Sequence, residues 1–124
     1  MKLVSGLALL TFAVAAAALA GVGVWTTNGP PGGAASGVST DPHVPGILYA
    51  GNMNGLFRSA DNGATWTSTG LSGAGGYGPL AAGPTVYAEG LAGLFASPDQ
   101  GAHWNILLPG FGGSYTLAVD PVTP

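Results

Sequence analysis

Apart from Lys2 and the chain termini, the acid–base equipment of this chain is small: Asp41, Asp61, Glu89, Asp99 and Asp120, the imidazoles of His43 and His103, and one guanidinium, Arg58. The chemistry these could do is narrow. A glycosidase needs two carboxylates flanking one bond. Asp61 and Asp99 each stand inside a Ser-x-Asp-x-Gly-x-x-Trp stretch, "SADNGATW" and "SPDQGAHW". Asp41 and Asp120 each precede proline, a turn-initiating setting. Glu89 is the remaining carboxylate; it ends a strand where the first unit has Gly51 and could line a rim or pocket, but a solvated strand end is the reading preferred. Arg58, close before Asp61, reads as half of a local surface ion pair. His43 and His103 share no ligand spacing, so neither is assigned to a metal. Cysteine is absent, which excludes disulfides, thiol nucleophiles and cysteine zinc sites together.

"GAGGYG", Gly73 to Gly78, satisfies the dinucleotide pattern GxGxxG, but that chemistry needs a strand before it and a helix after it. Pro79 follows at once and no acidic partner stands about 20 residues on. It reads as a glycine-rich connection. No serine elbow or phosphate loop occurs.

The elements that must position these residues are written twice. "ILYAGNMNGLFRSADNGATW" (Ile47 to Trp66) aligns without a gap on "TVYAEGLAGLFASPDQGAHW" (Thr85 to Trp104) at a shift of 38, with ten of twenty positions identical. The lead-in "VSTDPHVP" returns as "LAVDPVTP", and a shortened "LAAGP" precedes the second unit. Repeats of about 40 residues built from short strands are the signature of propeller blades. Each unit parses into four strands: "SGVST" or "GPLAA", then "ILYAG" or "TVYAE", then "LFRSA" or "LFASP", then "TWTST" or "HWNIL". Asn54-Gly55 marks a hairpin between the second and third. "YTLAV" begins a further unit.

In the repeated turn, Asp61 and Asp99 can accept from backbone N–H groups in an Asx-type turn, with Asp61 expected as a buried or half-buried acceptor. Gly63 and Gly101 can take the positive φ it requires. Ser59 and Ser97 can add a hydroxyl bond, and Trp66 and Trp104 bring a large apolar ring back over the loop and a neighbouring blade. The turn is a staple rather than a reactive site.

This pattern resembles the Asp-box, or BNR, repeat of sialidases, Vps10/sortilin-type receptors, xyloglucan-degrading glycosidases and the photosystem II assembly-factor family. The resemblance runs from about Trp25, since "WTTNGPPGG" looks like the lead into a first blade. It implies an all-β fold of four-stranded antiparallel blades of an incomplete Asp-box β-propeller. The blades fall at about 25–66 and 67–104, with a third beginning over 105–124. The resemblance implies structural turns shared by enzymes and non-enzymes alike, and fold does not carry function. Sialidases use an arginine cluster that Arg58 cannot supply by itself. In the xyloglucan-degrading relatives a catalytic aspartate lies near the hairpin corresponding to "AGNMNG", where this chain has Asn52, Met53 and Asn54.

Lys2 followed by an uncharged run from Leu3 to Val24, with Ala18-Leu19-Ala20 fitting a small-x-small cleavage rule, reads as an export signal over 1–20. The alternative is an uncleaved anchor over 3–24, since about 20 apolar residues span a bilayer. Charged residues are 6% of the chain and the net charge is −3, so there is no electrostatic footprint for nucleic acid. The expectation is an exported, non-catalytic propeller fragment that scaffolds protein or glycan and needs no cofactor. Its alternative is the N-terminal part of a glycoside hydrolase whose catalytic residues lie beyond 124. Propellers take about four to eight blades, so two cannot close a ring.

Overall fold

The computed structural model describes residues 28–72, 78–110 and 116–120. The export segment, Trp25, residues 73–77 of the glycine-rich stretch and residues 121–124 lie outside them.

Eight strands follow in order: β1 (Gly37–Thr40), β2 (Leu48–Asn52), β3 (Gly55–Ser59), β4 (Thr67–Ser68), β5 (Gly78–Ala82), β6 (Thr85–Gly90), β7 (Gly93–Ser97) and β8 (Asn105–Pro109). They form two four-stranded sheets, β1-β2-β3-β4 and β5-β6-β7-β8, each an antiparallel meander in chain order. The fold is all-β, and no helix is found among the described residues. Gly78 opens a strand rather than a helix, so the geometry that holds a pyrophosphate does not follow "GAGGYG". The sheets end at Ser68 and Pro109, so each fourth strand follows its tryptophan. The divisions placed at Trp66 and Trp104 therefore move: 67–68 belong to the first sheet and 105–109 to the second. Thr116–Asp120, where a further strand was expected, carries no strand.

The repeat is preserved in register. Tyr49 stands opposite Arg58 and Gly51 opposite Leu56, while Tyr87 stands opposite Ala96 and Glu89 opposite Leu94. Successive side chains on a strand point to opposite faces, so Tyr49 and Leu56 share one face of the first sheet. Val86, Ala88 and Phe95 share the face of the second sheet turned towards them. These residues meet in a common core of Ile47, Tyr49, Leu56, Leu71, Ala81, Val86 and Ala88, with Phe95 and Trp104 packed against it. Leu56 and Val86 are fully buried there, each contributing about 1.5–3 kcal/mol. The core therefore lies between the sheets, the arrangement of consecutive propeller blades. The innermost strands meet as well, where Ala81 N–H of β5 donates to Ser39 Oγ of β1 at 3.1 Å.

The hairpin at "NMNG" differs from a simple Asn-Gly turn. Met53 and Asn54 form the loop, closed by Asn52 and Gly55 as the last pair. The buried Asn52 side chain holds it, Oδ1 accepting from Asn54 N–H at 2.8 Å and Nδ2 donating to Pro31 O at 3.1 Å. Gly55 has φ 139°, and a Cβ there would run into the Leu71 carbonyl oxygen of the segment that follows β4. Gly93, one period later, has φ 145° and would strike Leu108 O. At β8 the register shifts between Leu94 and Phe95, leaving Leu107 as the extra residue of a bulge.

Candidate functional site

Both Asp turns close by the same bonds. In the first, Ser59 Oγ donates to Asp61 Oδ1 at 2.7 Å and accepts from Gly63 N–H at 2.8 Å. Asp61 Oδ1 also accepts from Thr65 N–H at 2.8 Å, and Oδ2 accepts from the Thr65 hydroxyl at 2.5 Å. In the second, Ser97 Oγ donates to Asp99 Oδ1 and accepts from Gly101 N–H, both at 2.7 Å. His103 takes the place of Thr65, its N–H donating to Asp99 Oδ1 at 2.8 Å and its Nδ1 lying 2.6 Å from Oδ2. Gly63 and Gly101 have φ 86° and 93°. The ring atoms Trp66 Cζ2 and Trp104 Cζ2 lie 3.6 and 3.7 Å from where their Cβ atoms would stand. Each turn is anchored to the preceding hairpin, Asn62 N–H donating to Gly46 O at 3.1 Å and Gln100 N–H to Pro84 O at 2.9 Å.

The serines, not the aspartates, are the buried members: Ser59 and Ser97 are buried, Asp61 and Asp99 exposed. Asp61 was expected to be a buried or half-buried acceptor. Its carboxylate instead lies at the surface, turned back along the loop. The bonds from the Thr65 side chain, the Thr65 N–H and the Ser59 hydroxyl hold it at about 2, well below the ordinary carboxylate range. Asp99 is lowered too, by the His103 ring first, then the His103 N–H and the Ser97 hydroxyl.

Arg58 does not pair with Asp61. Its Nη2 donates to Gln100 Oε1 at 3.0 Å, reaching the turn of the other sheet. Tyr49, buried beside it, donates its hydroxyl to Gln100 O at 3.2 Å. Burial raises the Tyr49 pKa, opposed by Arg58. Gln100 is thus read twice by the first sheet, by its main chain and by its side chain. Sequence reasoning passed it over as an unspecified position between Asp and Gly. No residue type singled it out, since Asn62 and Gln100 differ, and only the structure shows that this position carries positive φ in both turns, 59° at Asn62 and 57° at Gln100.

Glu89 is also placed otherwise than expected. It is buried rather than a solvated strand end, because β6 continues to Gly90 and its register partner Gly78 has no side chain to displace it. A Cβ at Gly78 would stand 3.5 Å from Glu89 Oε1. Asp41 is buried, with Oδ1 accepting from His43 N–H at 2.8 Å and Val44 N–H at 3.1 Å. Trp66 Nε1 donates to Asn28 O at 2.8 Å, so the chain ahead of the first sheet lies on its turn, as Thr69 Cγ2 lies against Gly101 of the second.

Two openings lie at the end of the sheets where the Asp turns stand. A groove of about 380 Å³ runs between the sheets, lined by Arg58, Thr67 to Thr69 and the turn residues Asp99 to Ala102. A more apolar cavity of about 460 Å³ lies between the connections of the inner strands, with His43, Leu80, Pro84, Val119 and Asp120 on its walls. Among the described residues no group of three or more His, Cys, Asp or Glu side chains could hold a metal ion.

The class these features define is a repeat protein of stacked four-stranded meanders. No family model matches the chain, and no curated protein sequence matches it. Among solved structures it is similar to YCF48 from Cyanidioschyzon merolae, at 17% identity and a TM-score of 0.49 over 62% of this chain and 25% of that one. The chain thus spans about a quarter of the length of that protein.

Proposed function

We propose that the chain is an exported, non-catalytic repeat protein of the Asp-box β-propeller type, whose stacked sheets form a scaffold for binding protein or glycan. The observation that carries this reading is the duplication of one turn, bond for bond, at the same position of two packed meanders. The carboxylates support a structural rather than a catalytic role. Asp41, Asp61 and Asp99 each accept hydrogen bonds from their own turn, whereas a hydrolytic pair must face one substrate bond. The groove at Arg58 offers hydroxyls, an amide and a guanidinium to a polar ligand.

The test is incubation of the purified chain with fluorogenic sialosides and xyloglucan oligosaccharides, alongside retention on an immobilised glycan panel. Retention without turnover is the expected result. Hydrolysis that survives Asp61→Asn and Asp99→Asn but is lost on Glu89→Gln would replace the scaffold reading with a glycosidase. Export is tested separately by N-terminal sequencing: material beginning at Gly21 supports a cleaved signal, and material beginning at Met1 supports the anchor.

A further inference from the structure

We propose that the outward face of the second sheet is an interaction surface for a second copy of this chain, which docks through the reverse face of its first sheet. The inference rests on the stacked-blade reading but not on any ligand, so glycan binding does not bear on it.

The molecule contains one junction of this kind and so displays its chemistry. One side presents Tyr49, Leu56 and Leu71; the other brings Val86, Ala88 and Phe95 against them, and the Gln100 carbonyl to the Tyr49 hydroxyl. At the repeat offset, the outward face of the second sheet presents Tyr87 in the place of Tyr49 and Leu94 in the place of Leu56. Leu108, the register partner of Leu94, stands in the place of Leu71. The apolar chemistry is alike, with Glu89 standing where the first sheet has Gly51, and the cover is only partial. Tyr49 and Leu56 are fully buried, whereas Tyr87 and Leu94 are half-buried and Leu108 is 47% exposed.

The complementary surface is present in the same chain. Leu48, Ala50 and Phe57 stand on the reverse face of the first sheet where Val86, Ala88 and Phe95 stand on the second. Asn62, with the same positive φ as Gln100, presents its carbonyl to an incoming Tyr87 hydroxyl. On that face Val38 is 59% exposed and Leu48 half-buried, while Ala50 and Phe57 are buried. A second copy therefore engages the Val38 and Asn62 side and must displace the cover over Ala50 and Phe57. Ala96 replaces Arg58 at the register partner of the tyrosine, so no guanidinium reads the incoming turn. Both differences make this contact weaker than the internal junction. With a net charge of −3 there is little repulsion to oppose it.

A face that meets a different face is heterologous, and such contacts close into rings when the rotation allows.

The experiment is sedimentation velocity over a concentration series on the purified chain, its N-terminus determined. A discrete, concentration-dependent oligomer is expected. Leu94→Asp should weaken the association at least about tenfold, and Tyr87→Phe about two- to tenfold. Should Leu94→Asp lose the strand signature in far-UV circular dichroism, Leu108→Ser at the more exposed position decides the matter. A monomer at every concentration overturns the proposal, and so does self-association that neither Leu94→Asp nor Leu108→Ser reduces.

Discussion

The hydroxyl of Tyr49 and the carbonyl of Gln100, 51 residues apart in the chain, form a 3.2 Å hydrogen bond that fastens the first sheet to the turn of the second. The tyrosine belongs to the core and the glutamine to a loop, so one bond ties packing to turn geometry. Tyr49→Phe should keep the buried ring and lose the bond, costing about 0.5–1.5 kcal/mol. Urea denaturation measures it. Gln100→Gly keeps the carbonyl that accepts from Tyr49 and removes only the side-chain bond to Arg58, so Tyr49→Phe should cost nearly as much in that background as in the unchanged chain.

In the Asp turns the buried serine should matter more to stability than the exposed aspartate. Ser97→Ala leaves the buried N–H of Gly101 without its acceptor, an expected loss of about 1–3 kcal/mol. Asp99→Asn keeps an oxygen in place and should cost less. An equal or reversed order, measured by the same denaturation, would assign the turn's stability to the carboxylate.

Acid should loosen the first turn. Asp61 titrates at about 2 in the fold and near 4 in an unfolded chain, so at pH 3 the unfolded state binds more protons. The stability this provides is fully present above about pH 4 and disappears as the pH falls through about 2. Thr65→Ala, which removes the hydroxyl donor, should raise the Asp61 midpoint, read from its side-chain carbonyl resonance by NMR. An unchanged midpoint would refute the Thr65 contact.

Gly93→Ala should break the pairing of β7 with β8. The residue combines φ 145° with a carbonyl in the way of any Cβ, and strain of this kind costs about 1–3 kcal/mol before the clash is added. Gly33→Ala, with positive φ but open space around it, is the control. Hydrogen exchange of the β8 amides should rise sharply in the first variant and little in the second.

Much of this was legible in the chain because the repeat records local geometry. The 38-residue shift and the Ser-x-Asp-x-Gly-x-x-Trp turn reflect contacts within about twenty residues, and such contacts recur with the repeat. Strand ends were less legible. Trp66 and Trp104 were taken into the fourth strands, yet their rings lie over the turn glycines and the ladders begin one residue later.

What only the tertiary structure decided concerns residues whose partners lie a whole repeat away. Arg58 reads as a surface cation beside Asp61 until the second sheet brings Gln100 to it. Glu89 reads as a solvated end until Gly78, its register partner, leaves room for its carboxylate inside the sheet. A polar side chain settles wherever its hydrogen bonds and burial are best satisfied together, and that place is set by packing between sheets. By itself the sequence determined the strands, the turns and their repetition, because these follow from backbone conformation and nearest neighbours. The partners of Arg58, Glu89 and Gln100 followed only from the stacking.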